Sequence, residues 1–306
     1  MSWTDASRLE TYQNCPRRYQ HKYIHRLVPK EVLPSPSASF GLGIHAGLES
    51  LYKGEGADYE PCRHYGPPVS EATCLYCQQN EGKIRRMFQA FLEQFPPGLE
   101  ERSYTQHNGL LLLTRYVGKY QNDPLRDGCM GVELTFNESL EGVSYVGRID
   151  LMTIWDGVHY VVDHKTKGNI TDGYIRSLKL DAKTTGYLWA ISTITNQKVS
   201  NCMINIMRVS SNIDNKSFAR PVTSRTETDI QQWKDNALRV LDDIARDEAR
   251  DYFPMNSNSC FSYNRECEYY RICTATANPE GAISQFYDVK PPSEVPSGLS
   301  REVNNE

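Results

Sequence analysis

The feature that most constrains this chain of 306 residues is a pair of alternating apolar and polar runs on either side of Asp156-Gly157. An Asp-Gly pair between two such runs predicts a two-residue turn that joins two antiparallel strands. The turn fixes the register, because Trp155 then pairs with Val158 and each further pair lies one residue out on both strands. Asp150 is therefore predicted to lie directly across from Asp163.

A third alternating run precedes this hairpin. Val132, Leu134 and Phe136 alternate with polar residues, which predicts a β-meander over residues 131–165. A further strand is predicted over residues 199–209. Helical periodicity is found over residues 7–15, 44–52, 81–95, 180–194 and 230–244. Strands and helices of this kind in one chain predict an α/β fold.

Local signals set the expected ends of the first elements. Ser7 and Glu10 have the spacing of a capping box, which predicts the start of the first helix, and Pro16 is expected to bend or restart it. Proline and serine over residues 30–39 predict a loop. Residues 54–70 are rich in glycine, proline and polar side chains, which indicates a surface insertion.

The composition excludes several classes of protein. Charged residues make up 24% of the chain and hydrophobic residues 39%, so it is not typical of a disordered protein. Lys and Arg number 34 against 38 Asp and Glu, which argues against a protein that coats polyanions. No apolar run reaches the ~20 residues that span a bilayer, and the first ten residues lack a signal pattern. We expect a cytoplasmic protein with no membrane partner.

Two facing carboxylates need a positive group between them. Asp163 and Lys165 share one face of their strand, while His164 points to the other. The residues leave two interpretations open. One is an ordinary surface ladder of ion pairs, and the other is a Mg²⁺ or Mn²⁺ site on Asp150 and Asp163 beside Lys165.

The ordered motifs resemble the catalytic core of the PD-(D/E)XK nuclease superfamily, and specifically its RecB-like branch. The residues that carry this resemblance are Gly147-Arg-Ile-Asp150, Val161-Val-Asp163-His-Lys165, Gly41-Leu-Gly-Ile-His45 and Ser7-x-Leu9-x-x-Tyr12-x-x-Cys15-Pro16-x-Arg18-Tyr19. The resemblance implies a restriction-endonuclease-like mixed central sheet flanked by helices. It extends from Ser7 to about Cys273, and residues 54–120 match least well.

The resemblance also implies roles for individual residues. Asp150 and Asp163 would bind the catalytic metal with His45 as an additional ligand, and His164 is kept as a further candidate. Lys165 would orient the attacking water or stabilise charge on the phosphate. Glu133, on the preceding strand, is equally compatible with a place in the same cleft and with an exposed carboxylate.

One position departs from the family pattern. Where the family commonly has a glutamine four residues before a tyrosine, this chain has Lys183 before Tyr187. Tyr187 is expected to contact the substrate or position the catalytic lysine, and Lys183 is expected either to hold a DNA phosphate or to weaken catalysis. Basic and aromatic side chains over residues 17–26 predict a further DNA contact by Arg17, Arg18 and Tyr19.

Four cysteines are candidate ligands of an iron–sulfur cluster. Cys260, Cys267 and Cys273 lie close together in the sequence, with six and five residues between them. Three thiolates leave a cluster one ligand short. The resemblance to RecB-like nucleases with a 4Fe-4S cluster implies Cys15 as the fourth ligand, so that the cluster joins the two ends of the chain. A Zn²⁺ site on the same thiols and reduced core cysteines remain as alternatives.

A second set of candidate ligands lies in the polar insertion. Cys62, His64, Cys74 and Cys77 include a Cys-x-His and a Cys-x-x-Cys pair, which suggests a structural Zn²⁺ site. Their spacing is not that of a standard zinc finger, so unliganded thiols are the stronger alternative.

The expected organisation follows from these assignments. Residues 1–30 are an N-terminal helical segment with the first cluster cysteine, and residues 40–125 are a helical region with the polar insertion. Residues 129–250 are the nuclease core, residues 251–275 the iron–sulfur segment, and residues 276–306 a mobile tail.

The leading functional hypothesis is a metal-dependent deoxyribonuclease. The resemblance implies an exonuclease on single-stranded DNA ends or overhangs, and no phosphate-binding loop of a motor is found, so unwinding would need a helicase or recombination partner. The rival hypothesis is a non-catalytic DNA-binding or assembly subunit with the same fold. A third hypothesis is a Zn²⁺ phosphoesterase. The pathway remains open among phage recombination, CRISPR adaptation and repair.

Overall fold

The computed structural model describes residues 3–31, 35–53, 75–262 and 265–292 of the chain. For residues 75–81 it describes the backbone alone.

Helices and strands alternate irregularly along the chain. The α-helices are α1 (Ala6–Asn14), α2 (Pro16–Tyr19), α3 (Pro36–Tyr52), α4 (Leu75–Gln94), α5 (Gln106–Lys119), α6 (Pro124–Asp127), α7 (Asp172–Ser177), α8 (Ala182–Thr195), α9 (Glu227–Arg250), α10 (Tyr270–Thr274) and α11 (Pro279–Phe286). The strands are β1 (Trp3–Thr4), β2 (Leu27–Pro29), β3 (Cys129–Leu140), β4 (Val143–Trp155), β5 (Val158–Lys167), β6 (Asn201–Arg208), β7 (Phe218–Ala219), β8 (Val222–Ser224), β9 (Phe261–Ser262), β10 (Arg265–Glu266) and β11 (Tyr287–Val289).

The central sheet is mixed. Strands β3, β4 and β5 form the predicted antiparallel meander, and β6 adds to β5 in parallel after the α7–α8 crossover. The short strand β1 adds in parallel to β4, and β7 and β8 pair with β6. A mixed sheet with helices on both faces confirms the predicted fold class.

The hairpin register is the predicted one. Trp155 pairs with Val158, and the regular ladder extends to the pair of Leu151 and Val162. The ladder ends one position before the two aspartates. There the carboxylate of Asp150 accepts a hydrogen bond from the backbone N–H of His164 at 2.7 Å, in place of a continued strand pairing.

Each face of the sheet packs against its own helices. On one face, apolar side chains of α1, α8 and α9 pack against strand residues such as Met152 and Val161. On the other, α3, α4 and α5 pack against Leu151, Val162 and Met203. Neighbouring strand residues thus point into different cores, as the pleat requires. The end of the meander therefore lies between two buried layers.

The first helices begin at positions that differ from those predicted. The N-cap of α1 is Asp5, whose carboxylate accepts from the backbone N–H of Arg8, so Ser7 lies inside the helix. Helix α3 already begins at Pro36, within the predicted loop, because Ser35 caps it and proline is compatible with the first helical turn. Pro16 restarts the chain as α2 after Cys15, as expected.

The C-terminal segment is more ordered than predicted. Residues 276–306 were expected to be a mobile tail, but Pro279–Phe286 form helix α11. Strand β11 then pairs with β2, which brings Tyr287 beside Pro29. Leu27 and Tyr287 bury a small apolar cluster with Tyr269 and Ile272, and this burial is the physical reason for the order. Residues 293–306 lie outside the described residues.

In the described part of the chain, no helix is both long and apolar enough to cross a membrane.

Candidate metal centre and cysteine pocket

A missing residue pair between β3 and β4 shapes the site, and the register is the same on both sides of it. Val132 pairs with Leu151 and Leu134 pairs with Ile149, but the intervening pair of Glu133 and Asp150 is absent from the ladder. Glu133 has a φ of 53°, in the left-handed region that non-glycine residues rarely adopt. Strain of this kind is maintained only where the surrounding structure imposes it, and it concentrates at functional sites.

Three side chains from separate elements converge at this interruption of the ladder. One ligand atom each from His45 on α3, Glu133 on β3 and Asp150 on β4 lies within 4.8 Å of the other two. His45 Nδ1 is 3.5 Å from Asp150 Oδ2. Among the residues that the structure describes, no other group of three histidine, cysteine or acidic side chains meets this criterion.

The charges of this group suit a hard cation. Burial raises the pKa of Asp150, with a further contribution from the charge of Asp163 and an opposing one from His45. Burial also raises the pKa of Glu133. The charge of Arg148, whose Nε lies 2.7 Å from Glu133 Oε2, acts in the opposite direction. A buried carboxylate, a half-buried carboxylate and an imidazole are ligands that Mg²⁺ or Mn²⁺ accepts. A cation would offset the cost of burying the charges. The donor set therefore fits a divalent metal.

Asp163 is held differently from Asp150. Its Oδ2 lies 2.6 Å from Lys165 Nζ, and its Oδ1 lies 3.0 Å from Lys183 Nζ. Burial alone would raise the pKa of Asp163, but the two lysines outweigh it and hold the pKa below its ordinary value. Asp163 and Lys165 thus share a face, as predicted, and Lys183 reaches the same carboxylate from α8.

Tyr187 supports the strand that carries Asp150. Its ring meets Phe136 edge to face, with centroids 5.3 Å apart, and its hydroxyl accepts a hydrogen bond from the backbone N–H of Arg148. A Cβ at Gly147 would lie 2.9 Å from the Tyr187 ring and 2.4 Å from Phe136, so only glycine fits there. Tyr187 thereby fixes the strand that presents Asp150.

His164 is outside the converging ligand group, although it was a candidate metal ligand. Its side chain is buried, and its Nδ1 lies 2.9 Å from the side-chain amide nitrogen of Asn205. The ring stacks on Tyr52 and meets His45 at a centroid distance of 5.9 Å. Asn205 and Tyr52 carry no recognisable motif, which is why sequence reasoning missed them.

The predicted DNA contact around Arg17 requires correction. Tyr19 is 0% exposed and packs in the core, so its side chain cannot reach a nucleic acid. Arg17 donates from Nε to the carbonyl oxygen of Phe253 at 2.8 Å. Arg18 pairs with Glu268 at 3.1 Å. These side chains join the N-terminal segment to the C-terminal one. The basic and aromatic pattern that predicted a DNA contact therefore serves packing within the protein.

The four proposed cluster cysteines line one pocket. Cys15, Cys260, Cys267 and Cys273 are all part of its lining. Their sulfurs are not drawn together as tightly as the ligand atoms of the metal centre, since no three of them lie within 4.8 Å of one another. Burial raises the pKa of Cys273 to about 11, so a thiolate there needs a nearby cation.

The candidate zinc ligands in the insertion lie outside the described residues. This applies to Cys62, His64 and Cys74 and to the side chain of Cys77. The remaining two cysteines, Cys129 and Cys202, are free thiols, and Cys202 is buried in the core.

Comparisons with known proteins identify the family of the chain. The family model of the PD-(D/E)XK nuclease superfamily matches residues 5–274. The crystal structure of a protein named "Putative exonuclease" from Eubacterium rectale aligns with 85% of this chain and 86% of its own, at a TM-score of 0.51 and 13% identity. A crystal structure named SSO0001 aligns with 56% of this chain and 69% of its own, at a TM-score of 0.29 and 13% identity. A search of curated protein sequences gives no significant match. Since the family model extends over most of its length, the chain belongs to the PD-(D/E)XK nuclease superfamily.

Proposed function

We propose that this nuclease is a metal-dependent deoxyribonuclease that hydrolyses phosphodiesters with Mg²⁺ or Mn²⁺. The observation that carries the proposal is the convergence of His45, Glu133 and Asp150 where the β3–β4 ladder is interrupted, beside Asp163 and Lys165. A cluster of buried acids next to a lysine is expected of a site that handles charge on a phosphate. Asp163 stays a proposed ligand on the strength of its place in the family motif, and in this structure its two oxygens contact Lys165 and Lys183.

The residues around the proposed metal position have different roles. A bound divalent cation supplies an activated water and stabilises charge on the phosphoryl oxygens. Lys165, anchored by Asp163 at 2.6 Å, orients the water or stabilises the developing negative charge. Tyr187 and Gly147 hold the strand of Asp150 in place from behind.

Lys183 provides a second ammonium group on the same side. Its side chain is 39% exposed, and its Nζ lies 5.1 Å from the centre of the Tyr187 ring. We propose that it contacts a backbone phosphate of the DNA, since a partly exposed cation next to the site attracts the polyanion. The superfamily supports DNA as the substrate.

The expected substrate is a single-stranded end or overhang, digested as an exonuclease. The printed name of the Eubacterium rectale structure supports an exonuclease. A helicase or recombination partner would then supply the unwound strand.

We further propose that Cys15, Cys260, Cys267 and Cys273 hold a 4Fe-4S cluster. Support comes from the shared pocket of all four thiols. A zinc ion with Zn–S bonds of about 2.3 Å would bring its sulfurs to within roughly 3.8 Å of one another. A zinc ion on the same four thiols is the alternative that metal analysis distinguishes from the cluster.

Cleavage assays with a matched pair of variants test the nuclease proposal. Labelled single-stranded and duplex DNA are incubated with Mg²⁺ or Mn²⁺ and with wild type, D150N or D156N. Asp156 lies in the turn of the same hairpin, away from the ligands. We expect D150N to lose activity by about 100-fold or more, because a metal contributes several kcal/mol to such reactions. D156N should cleave like the wild type.

The rival function is a DNA-binding subunit without activity. It predicts that the wild type binds DNA but cleaves neither substrate in either metal, and that result would overturn the proposed activity. Cleavage with Zn²⁺ alone, in a protein without iron, would instead favour a zinc phosphoesterase.

A further inference from the structure

A network of buried polar side chains lies behind the metal centre, between the sheet and the helices α3, α5 and α6. Its members are connected by hydrogen bonds and none of them is a metal-ligand candidate except His164. They are Tyr52, Tyr116, Asp123, His164, Asn205 and Arg220.

The anchor of the network is a buried ion pair. Arg220 donates from both terminal nitrogens to the two oxygens of Asp123 at 2.7 Å each. The side chains are 12% and 4% exposed. A buried pair of this kind is no more stabilising than a well-packed apolar pair, so its presence here points to a role in fixing geometry.

Two tyrosines connect the ion pair to the sheet. Tyr52 donates to Asp123 at 2.7 Å and lies 2.6 Å from the hydroxyl of Tyr116. Because the proton of Tyr52 goes to Asp123, Tyr116 must be the donor to Tyr52. The oxygen of Tyr116 then accepts from Arg220 at 2.8 Å and from Asn205 at 2.9 Å. Every hydroxyl proton has a single consistent direction.

This directionality determines the orientation of Asn205. Arg220 can only donate, so the Asn205 atom 3.3 Å from its Nε must be the amide oxygen. The amide nitrogen therefore faces His164 Nδ1 at 2.9 Å and donates to it. A neutral imidazole that accepts at Nδ1 carries its proton on Nε2. The network thus selects one tautomer of His164.

His164, whose ring orientation the network fixes, contacts the metal centre at two points. Its backbone N–H donates to Asp150 Oδ2 at 2.7 Å. Its ring lies between Tyr52, stacked at a centroid distance of 5.8 Å, and His45, met at 77° and 5.9 Å. Two of the three converging ligands are therefore in contact with a residue whose ring cannot rotate without breaking the bond to Asn205.

We propose that Asn205 is a positioning residue of the metal centre, which acts by fixing the tautomer and orientation of His164 against His45 and Asp150. The proposal rests on the proposed metal-dependent function. Partners of this kind behind a metal site commonly change its affinity by 10- to 100-fold when they are altered.

The variant N205D tests this with almost no change in size. A carboxylate still accepts from Arg220, but it cannot donate to His164, so the ring proton must move to Nδ1. We expect ¹⁵N NMR of the metal-free wild type to show His164 protonated at Nε2, and N205D to show it protonated at Nδ1. Mn²⁺ dissociation constants, measured by electron paramagnetic resonance, should rise about tenfold or more in N205D.

N201D is the matched control, with the same exchange four residues earlier on β6. It should bind Mn²⁺ within about twofold of the wild type. The second variant, Y52F, keeps the ring that stacks on His164 but breaks the link to Asp123, and its Mn²⁺ dissociation constant should rise severalfold with the thermal unfolding curve still cooperative.

Two outcomes would overturn the proposal. One is an Nδ1-protonated His164 in the wild type, and the other is a folded N205D with unchanged Mn²⁺ affinity. The NMR result does not depend on metal. A wild type that binds no Mn²⁺ but shows the Nε2 tautomer would therefore count against the proposed metal-dependent function, and against the role of Asn205 in it, while the network itself would stand.

Discussion

Each carboxylate oxygen of Asp163 contacts a different ammonium group, one from β5 and one from α8. This gives the site two fixed positive charges next to the place where a divalent cation is proposed to bind. The ammonium of Lys165 belongs to the motif, whereas that of Lys183 replaces the glutamine common in the family. The two charges favour a bound phosphate and oppose a bound metal.

The variant K183Q should therefore bind Mn²⁺ more tightly in the absence of DNA. Removal of one positive charge next to the proposed metal position should raise the affinity for Mn²⁺ about fivefold, which corresponds to roughly 1 kcal/mol. Its affinity for single-stranded DNA, measured in Ca²⁺ to suppress cleavage, should fall. K179Q, at an exposed lysine four residues earlier, is the control and should change neither quantity by more than about twofold. Unchanged Mn²⁺ affinity in K183Q would contradict this account.

At the scale of residues, the sequence was enough to predict the direction of side chains where the two-residue period of a strand determines it. Asp163 and Lys165 share a face because strands alternate, and that prediction is confirmed. The position of Glu133 could not be predicted, because the interrupted ladder and the positive φ of Glu133 leave no trace in the alternation. Tyr19 was misassigned because a basic and aromatic pattern does not reveal which rings are buried.

At the scale of elements, the meander depends on close packing beneath the strand that carries Asp150. Gly147 lies in β4 where Tyr187 and Phe136 cover it. The turn at Asp156-Gly157 could be predicted because its backbone angles are restricted to such residues, and the observed φ values of 49° and 73° agree with them. The start of α3 was missed because a capped proline at a helix start is also typical of loops.

Replacement of Gly147 by alanine should destabilise the protein. The added methyl group would meet ring carbons at 2.4 and 2.9 Å, which is closer than packed atoms tolerate. We expect a loss of about 1–3 kcal/mol in the free energy of unfolding and a lower affinity for Mn²⁺ as β4 shifts. G168A, just after β5, is the control, because nothing lies within 4 Å of the added carbon.

Chemical denaturation measures both variants. G168A should unfold within about 1 kcal/mol of the wild type. Equal stability of G147A and the wild type would show that Tyr187 does not support the strand as closely as the structure indicates.

At the scale of the whole molecule, the two ends of the chain are joined at several points. Tyr12 donates to Asp247 at 2.6 Å, and the backbone N–H of Asn256 lies 3.4 Å from the sulfur of Cys15. Strand β2 pairs with β11 beyond the cysteine pocket. The iron–sulfur cluster that is expected to join the two ends stays a prediction. The strand pairing could not be predicted, because β2 and β11 have three residues each.

Loss of Cys15 should loosen both ends together if a cluster holds them. Wild type purified without oxygen is expected to contain about four irons and the matching sulfide per chain. C15S should lose most of this iron and become more sensitive to limited proteolysis near both ends. C129S, at a free thiol outside the pocket, should keep its iron. One zinc and no iron in the wild type would contradict the cluster.

The most direct test of the metal centre is a crystal structure with Mn²⁺, examined by anomalous scattering at the manganese edge. We expect an anomalous peak within bonding distance of His45, Glu133 and Asp150, with the positive φ of Glu133 retained. A structure in which that position shows no peak at saturating Mn²⁺, or in which Asp150 and Glu133 point away from each other, would contradict the account.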